Sequence, residues 1–210
     1  MDIVDPRFDA YMRSRLDRFD EPVLVEMEAE AAERGFPIVG RNVGVTLEVL
    51  ARSIGARRIV ELGSGFGYSG YWHARAVGPD GELHLTDGDP ENARTAEDYL
   101  TRADLWSPVT FHVGDAVASL ASLEGTFDVV FCDIDKAGYP DAWRTARDRI
   151  RPGGLYVCDN VLGYGQGNVV EGGGAAEAVR EHNAMIASDE GYLSTIVPTR
   201  EGVMVAIRLG

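Results

Sequence analysis

The sequence predicts an α/β protein: one open, mostly parallel sheet with helices on both faces and an antiparallel hairpin at its C-terminal end. Three observations support this. From residue 58 onward, short apolar runs alternate with helical stretches of about 10–15 residues, the spacing of strands joined by crossover helices. The final runs, 192–198 and 203–209, instead flank a four-residue turn, Thr199-Arg200-Glu201-Gly202, as antiparallel partners do. With 210 residues, 45% of them hydrophobic, the chain is long enough to bury a core of its own.

The elements follow in order. Residues 6–35 read as helical, with Val23, Met27 and Ala31 at four-residue spacing, ended by Gly35 and Pro37. A second helix covers 42–54, with Val43, Leu47, Leu50 and Ile54 on one face. Residues 58–62 form a short buried strand, and a glycine-rich turn leads to a helix over 67–77. Strand 82–87 precedes a helix that Pro90 opens at its first turn. Strands follow at 109–113, 127–133 and 154–159. Residues 160–174 hold six of the chain's 25 glycines and read as a mobile loop, with 163–174 a candidate lid. No repeat or linker divides the chain, so 1–210 is expected to be one domain, with the 1–54 helices packed on a 55–210 core.

Composition restricts the setting. The N-terminus lacks the basic-then-apolar pattern of a signal peptide, and no apolar run is long enough to span a bilayer. The two cysteines, Cys132 and Cys158, fit a reducing compartment, and a cytoplasmic location is expected. A formal net charge of −14 argues against a nucleic-acid partner, which needs a basic stripe. These features point to a small-molecule ligand.

Lys136 is the single lysine among 20 basic residues. Guanidinium stays protonated at any biological pH, whereas a desolvated ammonium can lose its proton. A lysine three residues after Asp133, at the end of an apolar run, is therefore a candidate general base beside a candidate metal ligand. An ordinary surface lysine is the alternative.

In open α/β sheets, ligands bind beyond the carboxyl ends of the strands. Here those ends carry Glu61, Asp87, Asp115, Asp133 and the pair Asp159-Asn160. Helix capping accounts for one or two such acids, but not for the series. The turn after the first strand, Glu61-Leu-Gly-Ser-Gly-Phe-Gly-Tyr-Ser69, places glycines where backbone must approach a ligand, and Asp87 is placed to accept from a ribose diol. Together they indicate a nucleoside cofactor. Gly65-Phe-Gly67-Tyr-Ser-Gly70 matches the G-x-G-x-x-G pattern, so an NAD-binding oxidoreductase is the alternative. That match begins two residues late, because the turn starts at Gly63, and NAD has no evident use for the acids on the later strands. Asp133, Asp159 and Asn160 would converge if their strands are neighbours. Two carboxylates and an amide suit Mg²⁺ first, with Mn²⁺ or Ca²⁺ as further options, leaving about three of six octahedral positions for other oxygens. Each cysteine points away from the Asp that follows it and is read as core.

Three segments then resemble known motifs. Val60-Glu-Leu-Gly-Ser-Gly-Phe-Gly-Tyr-Ser-Gly70, Asp128-Val-Val-Phe-Cys-Asp-Ile-Asp-Lys136 and Arg151-Pro-Gly-Gly-Leu-Tyr-Val-Cys-Asp-Asn-Val-Leu162 are similar to those of the cation-dependent O-methyltransferases, the group of the catechol and caffeoyl-coenzyme A O-methyltransferases. The resemblance runs from the 37–44 segment to the terminal hairpin. It implies a Rossmann-like class I methyltransferase fold of seven strands with the last antiparallel, S-adenosylmethionine as methyl donor, and a catechol-type acceptor. It also implies roles. Glu61, Gly63, Ser64 and Ser69 would hold the methionine end of the cofactor, and Asp87 the ribose. Asp115 and Ala116 would meet the adenine, and Val39 and Asp135 would touch the cofactor. Asp133, Asp159 and Asn160 would bind the metal, with Lys136 as base. Relatives are commonly dimers, so a homodimer is expected. Where relatives carry an aromatic residue, often Trp, after the Asp-Asn-Val-Leu run, this chain has Gly163 and Tyr164. Some bacterial relatives methylate hydroxylated uridine in transfer RNA, an alternative that the acidic charge opposes.

Overall fold

A computed structural model describes residues 5–164 and 167–210. The chain opens with α1 (Pro6–Ser14), a 3₁₀ turn at Asp17–Phe19, α2 (Pro22–Arg34) and α3 (Gly40–Ser53). Then β1 (Arg58–Leu62), α4 (Tyr68–Val77), β2 (Glu82–Asp87), α5 (Pro90–Arg102) and β3 (Val109–Val113) form one half of the sheet. The other half holds α6 (Ala116–Ser122), β4 (Phe127–Cys132), α7 (Tyr139–Ala146) and β5 (Ile150–Cys158). Short strands β6 (Gly163–Tyr164) and β7 (Gly167–Asn168) come next, then α8 (Ala176–Ala187) and the hairpin β8 (Tyr192–Val197) and β9 (Val203–Arg208).

The seven-stranded sheet runs β3-β2-β1-β4-β5-β9-β8, and β9 pairs antiparallel to both of its neighbours. This is the expected fold. The chain winds outward from β1 to β3, then returns to lay β4 on the other side of β1. The switch point between β1 and β4 opens a crevice at their carboxyl ends, where open sheets bind ligands.

Strand alternation sorts the core into two halves. Ile59, Leu83, Leu85, Phe131 and Val157 face Leu24, Met27, Leu47 and Trp72 of α2, α3 and α4. Val60, Leu62, Cys132, Tyr156 and Cys158 face Tyr139, Trp143 and Ile186 of α7 and α8. Both cysteines are free and buried, as their parity with the following Asp requires. Full burial of a Leu or Met such as Leu24 or Met27 contributes about 1.5–3 kcal/mol each, so the N-terminal helices are anchored to the core. Polar contacts add to this. Glu28 of α2 accepts two hydrogen bonds from the buried Arg41 guanidinium and one from the Tyr68 hydroxyl, at 2.7–2.9 Å.

Three boundaries differ from expectation. Residues 6–35 are not one helix but α1, a 3₁₀ turn and α2. Pro22 has no N–H and sits at the first turn of α2, where that loss is harmless, so the chain restarts there. Strand β5 begins at Ile150 rather than 154, because Ile150 pairs with Phe127 before a register shift. The 160–174 segment is not simply a loop. Gly163 pairs with Asn168, and Asn168 bridges to Gly172. Its glycines serve close backbone packing: a Cβ on Gly167 would stand 2.2 Å from the Gly173 carbonyl oxygen. Residues 165 and 166 of this candidate lid, and 1–4 of the N-terminus, lie outside the described residues.

Candidate active site

A cavity of about 820 Å³ opens over the carboxyl ends of β1, β2, β4 and β5. Every site residue expected from the sequence lines it except one, Glu61.

The glycine turn forms its floor. Gly63, Gly65 and Gly67 have φ of 84°, 49° and 89°, in the left-handed region that favours glycine. A Cβ on Gly63 would lie 2.5 Å from the Asp133 carbonyl oxygen, so the β1 and β4 ends meet with no room for a side chain. The Gly63 N–H donates to Thr86 Oγ1 at 3.2 Å and the Ser64 N–H to the Thr86 carbonyl at 2.7 Å. Asp87 is fixed at the end of β2. One of its oxygens accepts from the Gly65 N–H (3.0 Å) and the other from Asn92 Nδ2 (3.0 Å) and the Asp89 N–H (2.9 Å).

Glu61 faces elsewhere because strand parity puts it on the side of Ile59, towards α4. It is fully buried, takes the Ser69 hydroxyl on one oxygen at 2.5 Å and pairs with His73 Nδ1 on the other at 2.7 Å. Ser69 in turn lines the cavity, so Glu61 lies one hydrogen bond behind the wall. Asp115 lines the cavity and also caps α6, accepting from the Ala118 N–H at 2.7 Å. Val39 is buried beneath the opposite wall, beside Phe36 and Ile38. Asp135 is exposed at the rim.

Asp133, Lys136, Asp159 and Asn160 stand together at the β4–β5 end. Lys136 Nζ donates to Asn160 Oδ1 at 2.9 Å and lies 3.9 Å from Asp133 Oδ1. Asn160 takes φ 55°, a conformation Asn tolerates better than most residues. Tyr139 holds the backbone here, its hydroxyl donating to the Asp159 carbonyl at 2.7 Å. Burial, followed by the nearby Asp159 charge, raises the Asp133 carboxyl above the usual carboxylate range. Burial raises that of Asp159 as well. Asp159 Oδ1 is buried with no hydrogen-bond partner among the described residues. Two facing carboxylates with an orphaned buried oxygen form a donor set that suits a hard cation. Among the described residues no group of three or more His, Cys, Asp or Glu gathers as a metal cluster, so such an ion would rely on the amide and on non-protein oxygens.

Sequence reasoning passed over Arg200. It lies in the β8–β9 turn, lines the cavity, and donates through Nη1 to the Ile38 carbonyl at 2.8 Å. Only its place in a turn after the last crossover was visible beforehand. Among the side chains described, none of 163–174 lines the cavity, and those of residues 164–166 lie outside the description. No helix among the described residues is long and apolar enough to cross a membrane.

Comparison with known proteins identifies the family. A family model described as O-methyltransferase matches residues 17–209. A catechol O-methyltransferase of Niastella koreensis is 35% identical over 198 residues, covering 90% of this chain and 88% of that protein. The O-methyltransferase of Bacillus cereus in complex with SAH superposes with a TM-score of 0.84 at 26% identity, over 95% of this chain and 97% of that one. TomG of Streptomyces achromogenes, in complex with SAM, superposes with a TM-score of 0.80 at 29% identity over 91% of each chain. The chain belongs to the O-methyltransferase family.

Proposed function

We propose that this O-methyltransferase moves the methyl group of S-adenosylmethionine to one hydroxyl of a catechol-type acceptor, with a divalent cation, Mg²⁺ first, at Asp133, Asp159 and Asn160. The observation that carries the reading is the grouping of Lys136 with those three residues in the cavity that also holds the glycine turn and Asp87. The SAM- and SAH-bound relatives support the choice of cofactor.

The chain's own residues divide the work. The glycine turn admits the cofactor close to the backbone, and Asp87 keeps acceptor capacity for the ribose hydroxyls. Ser69, held by Glu61, which His73 holds in turn, would face the methionine end. Val39, Asp115, Ala116 and Asp135 would complete the cofactor contacts. When bound, the cation would supply Lewis-acid polarisation of the acceptor oxygens. Lys136 would take the hydroxyl proton as general base, and the freed oxygen would attack the sulfonium methyl, whose bond to sulfur breaks to leave the thioether S-adenosylhomocysteine. Holding both reactants at attack distance contributes up to about 7–11 kcal/mol in favourable cases.

Methyl transfer to a catechol panel, with and without chelator, tests the reading. Turnover that persists in excess chelator removes the metal, and no turnover on any catechol removes the acceptor class. Binding of NAD in place of S-adenosylmethionine would restore the oxidoreductase alternative. Methylation of transfer RNA would favour the other alternative, which the net charge of −14 opposes. A homodimer belongs to the same reading, supported by the exposed Phe8 and Tyr11 on α1. Sedimentation at the 22.8 kDa of one chain would exclude it.

A further inference from the structure

We propose that Arg200 selects the acceptor, its guanidinium receiving a carboxylate carried by the aromatic ring. This deepens the catechol reading above and rests on it.

Arg200 and Lys136 are the two cations among the residues lining a cavity otherwise rich in carboxylates. Lys136 is engaged with Asn160. The Arg200 fork carries five N–H donors. One goes to the Ile38 carbonyl at 2.8 Å, and Nε lies 3.3 Å from the Glu201 carboxylate. The remaining donors suit the two oxygens of a carboxylate, which a planar fork binds in bidentate fashion.

Sheet order places Arg200 at the acceptor end. Asp87 ends β2, and Arg200 joins β8 to β9, four strand positions from β2 in the order β2-β1-β4-β5-β9. At about 4.8 Å per strand this is a separation of about 19 Å along the sheet. Along the sheet, the strand end that carries Asp87 is therefore far from the turn that carries Arg200. The Asp159-Asn160 pair is near it, since Asn160 Nδ2 points at Glu201 Oε2 across 3.5 Å.

The backbone supplies an independent sign. Arg200 takes φ 48°, where glycine is the unstrained choice. A long charged side chain kept in that conformation, at the wall of the candidate site, indicates that the guanidinium itself is needed there.

The same fact provides a usable variant, because Arg200→Gly suits the turn backbone, and its thermal unfolding, recorded beside that of Arg200→Lys, separates a loss of folding from a loss of binding. The full chain, loaded with S-adenosylhomocysteine and Mg²⁺, is titrated calorimetrically with 3,4-dihydroxybenzoate and with 3,4-dihydroxybenzyl alcohol. Wild type should prefer the benzoate by about 10- to 100-fold, the range of a charge-assisted pair. The preference should vanish in Arg200→Gly and survive only partly in Arg200→Lys. Loss of the Ile38 tether would weaken both rings alike, so the ratio isolates the carboxylate. Equal affinity in wild type, or an unchanged ratio in Arg200→Gly, overturns this proposal and leaves the catechol reading standing. Failure of both rings to bind overturns the two together.

Discussion

The Lys136 ammonium donates to the side-chain oxygen of Asn160 at 2.9 Å, while the Asp133 carboxylate stands off at 3.9 Å. The only lysine of the chain is thus held by the amide of the β5 end and reaches across from the β4 end. Lys136→Arg keeps a positive charge but replaces the amine with a guanidinium that cannot serve as a proton acceptor. Turnover of a catechol should fall at least about 100-fold, the usual contribution of a positioned general base. Affinity for S-adenosylhomocysteine should change less than about threefold. An arginine variant as active as wild type would reduce Lys136 to a charge.

Gly63→Ala is expected to be among the most damaging single-methyl changes. The added Cβ would stand 2.5 Å from the Asp133 carbonyl oxygen, and φ is 84°. Left-handed strain costs about 1–3 kcal/mol, and parting the β1 and β4 ends adds to it. Denaturant unfolding should show the loss, and calorimetry a weakened cofactor. A variant as stable as wild type would mean that the two strand ends are not as closely joined as the structure has them.

Much of this site was legible from strand ends alone. Gly63, Asp87, Asp133 and Asp159 come from different strands, and a parallel sheet must bring such ends to one side. Glu61 shows where that reasoning stops. It lies within β1 and is turned by parity towards His73, which a count along the strand would have revealed. Arg200 was hidden for another reason: its contact with Ile38 joins residues 162 apart, and nothing local announces it. The β6–β7 pairing was missed because a run of glycines reads as freedom, although here it permits backbones to touch.

A buried histidine contributes to the acid limb of stability. His182 is fully buried against Tyr156 and Tyr139, and burial lowers its pKa from 6.5 to about 4. Between those values the unfolded chain binds a proton that the folded chain refuses. The His182 contribution is therefore complete above about 6.5 and is lost as pH drops towards 4, by up to about 3 kcal/mol, while the raised Asp133 and Asp159 carboxyls act in the opposite sense. His182→Gln, which still offers the Tyr156 hydroxyl an acceptor, should flatten the His182 share of that slope. Urea unfolding at pH 7.5, 6 and 5 measures it, and parallel slopes in both proteins would assign the acid limb to other groups.

Asp159 gives the cation reading a test that needs no turnover. Its Oδ1 is buried and unpartnered among the described residues, and its charge helps to raise the Asp133 carboxyl. Without an ion, the carboxylate is a cost to the fold, since a desolvated oxygen lacks compensation. Asp159→Asn removes one of two facing charges, so the ion-free variant should unfold at a temperature equal to or above that of the ion-free wild type. Adding Mg²⁺ should then separate them in the opposite sense. Wild type gains stability by mass action, about 2.7 kcal/mol at a hundredfold excess over the dissociation constant. The variant, with one of its two acidic ligands gone, should gain little. The crossing of the two responses is the diagnostic, because a merely structural aspartate would lower stability on substitution in both conditions. An equal response to Mg²⁺ in the two proteins would place the ion elsewhere and leave Asp133, Asp159 and Asn160 without the role assigned to them.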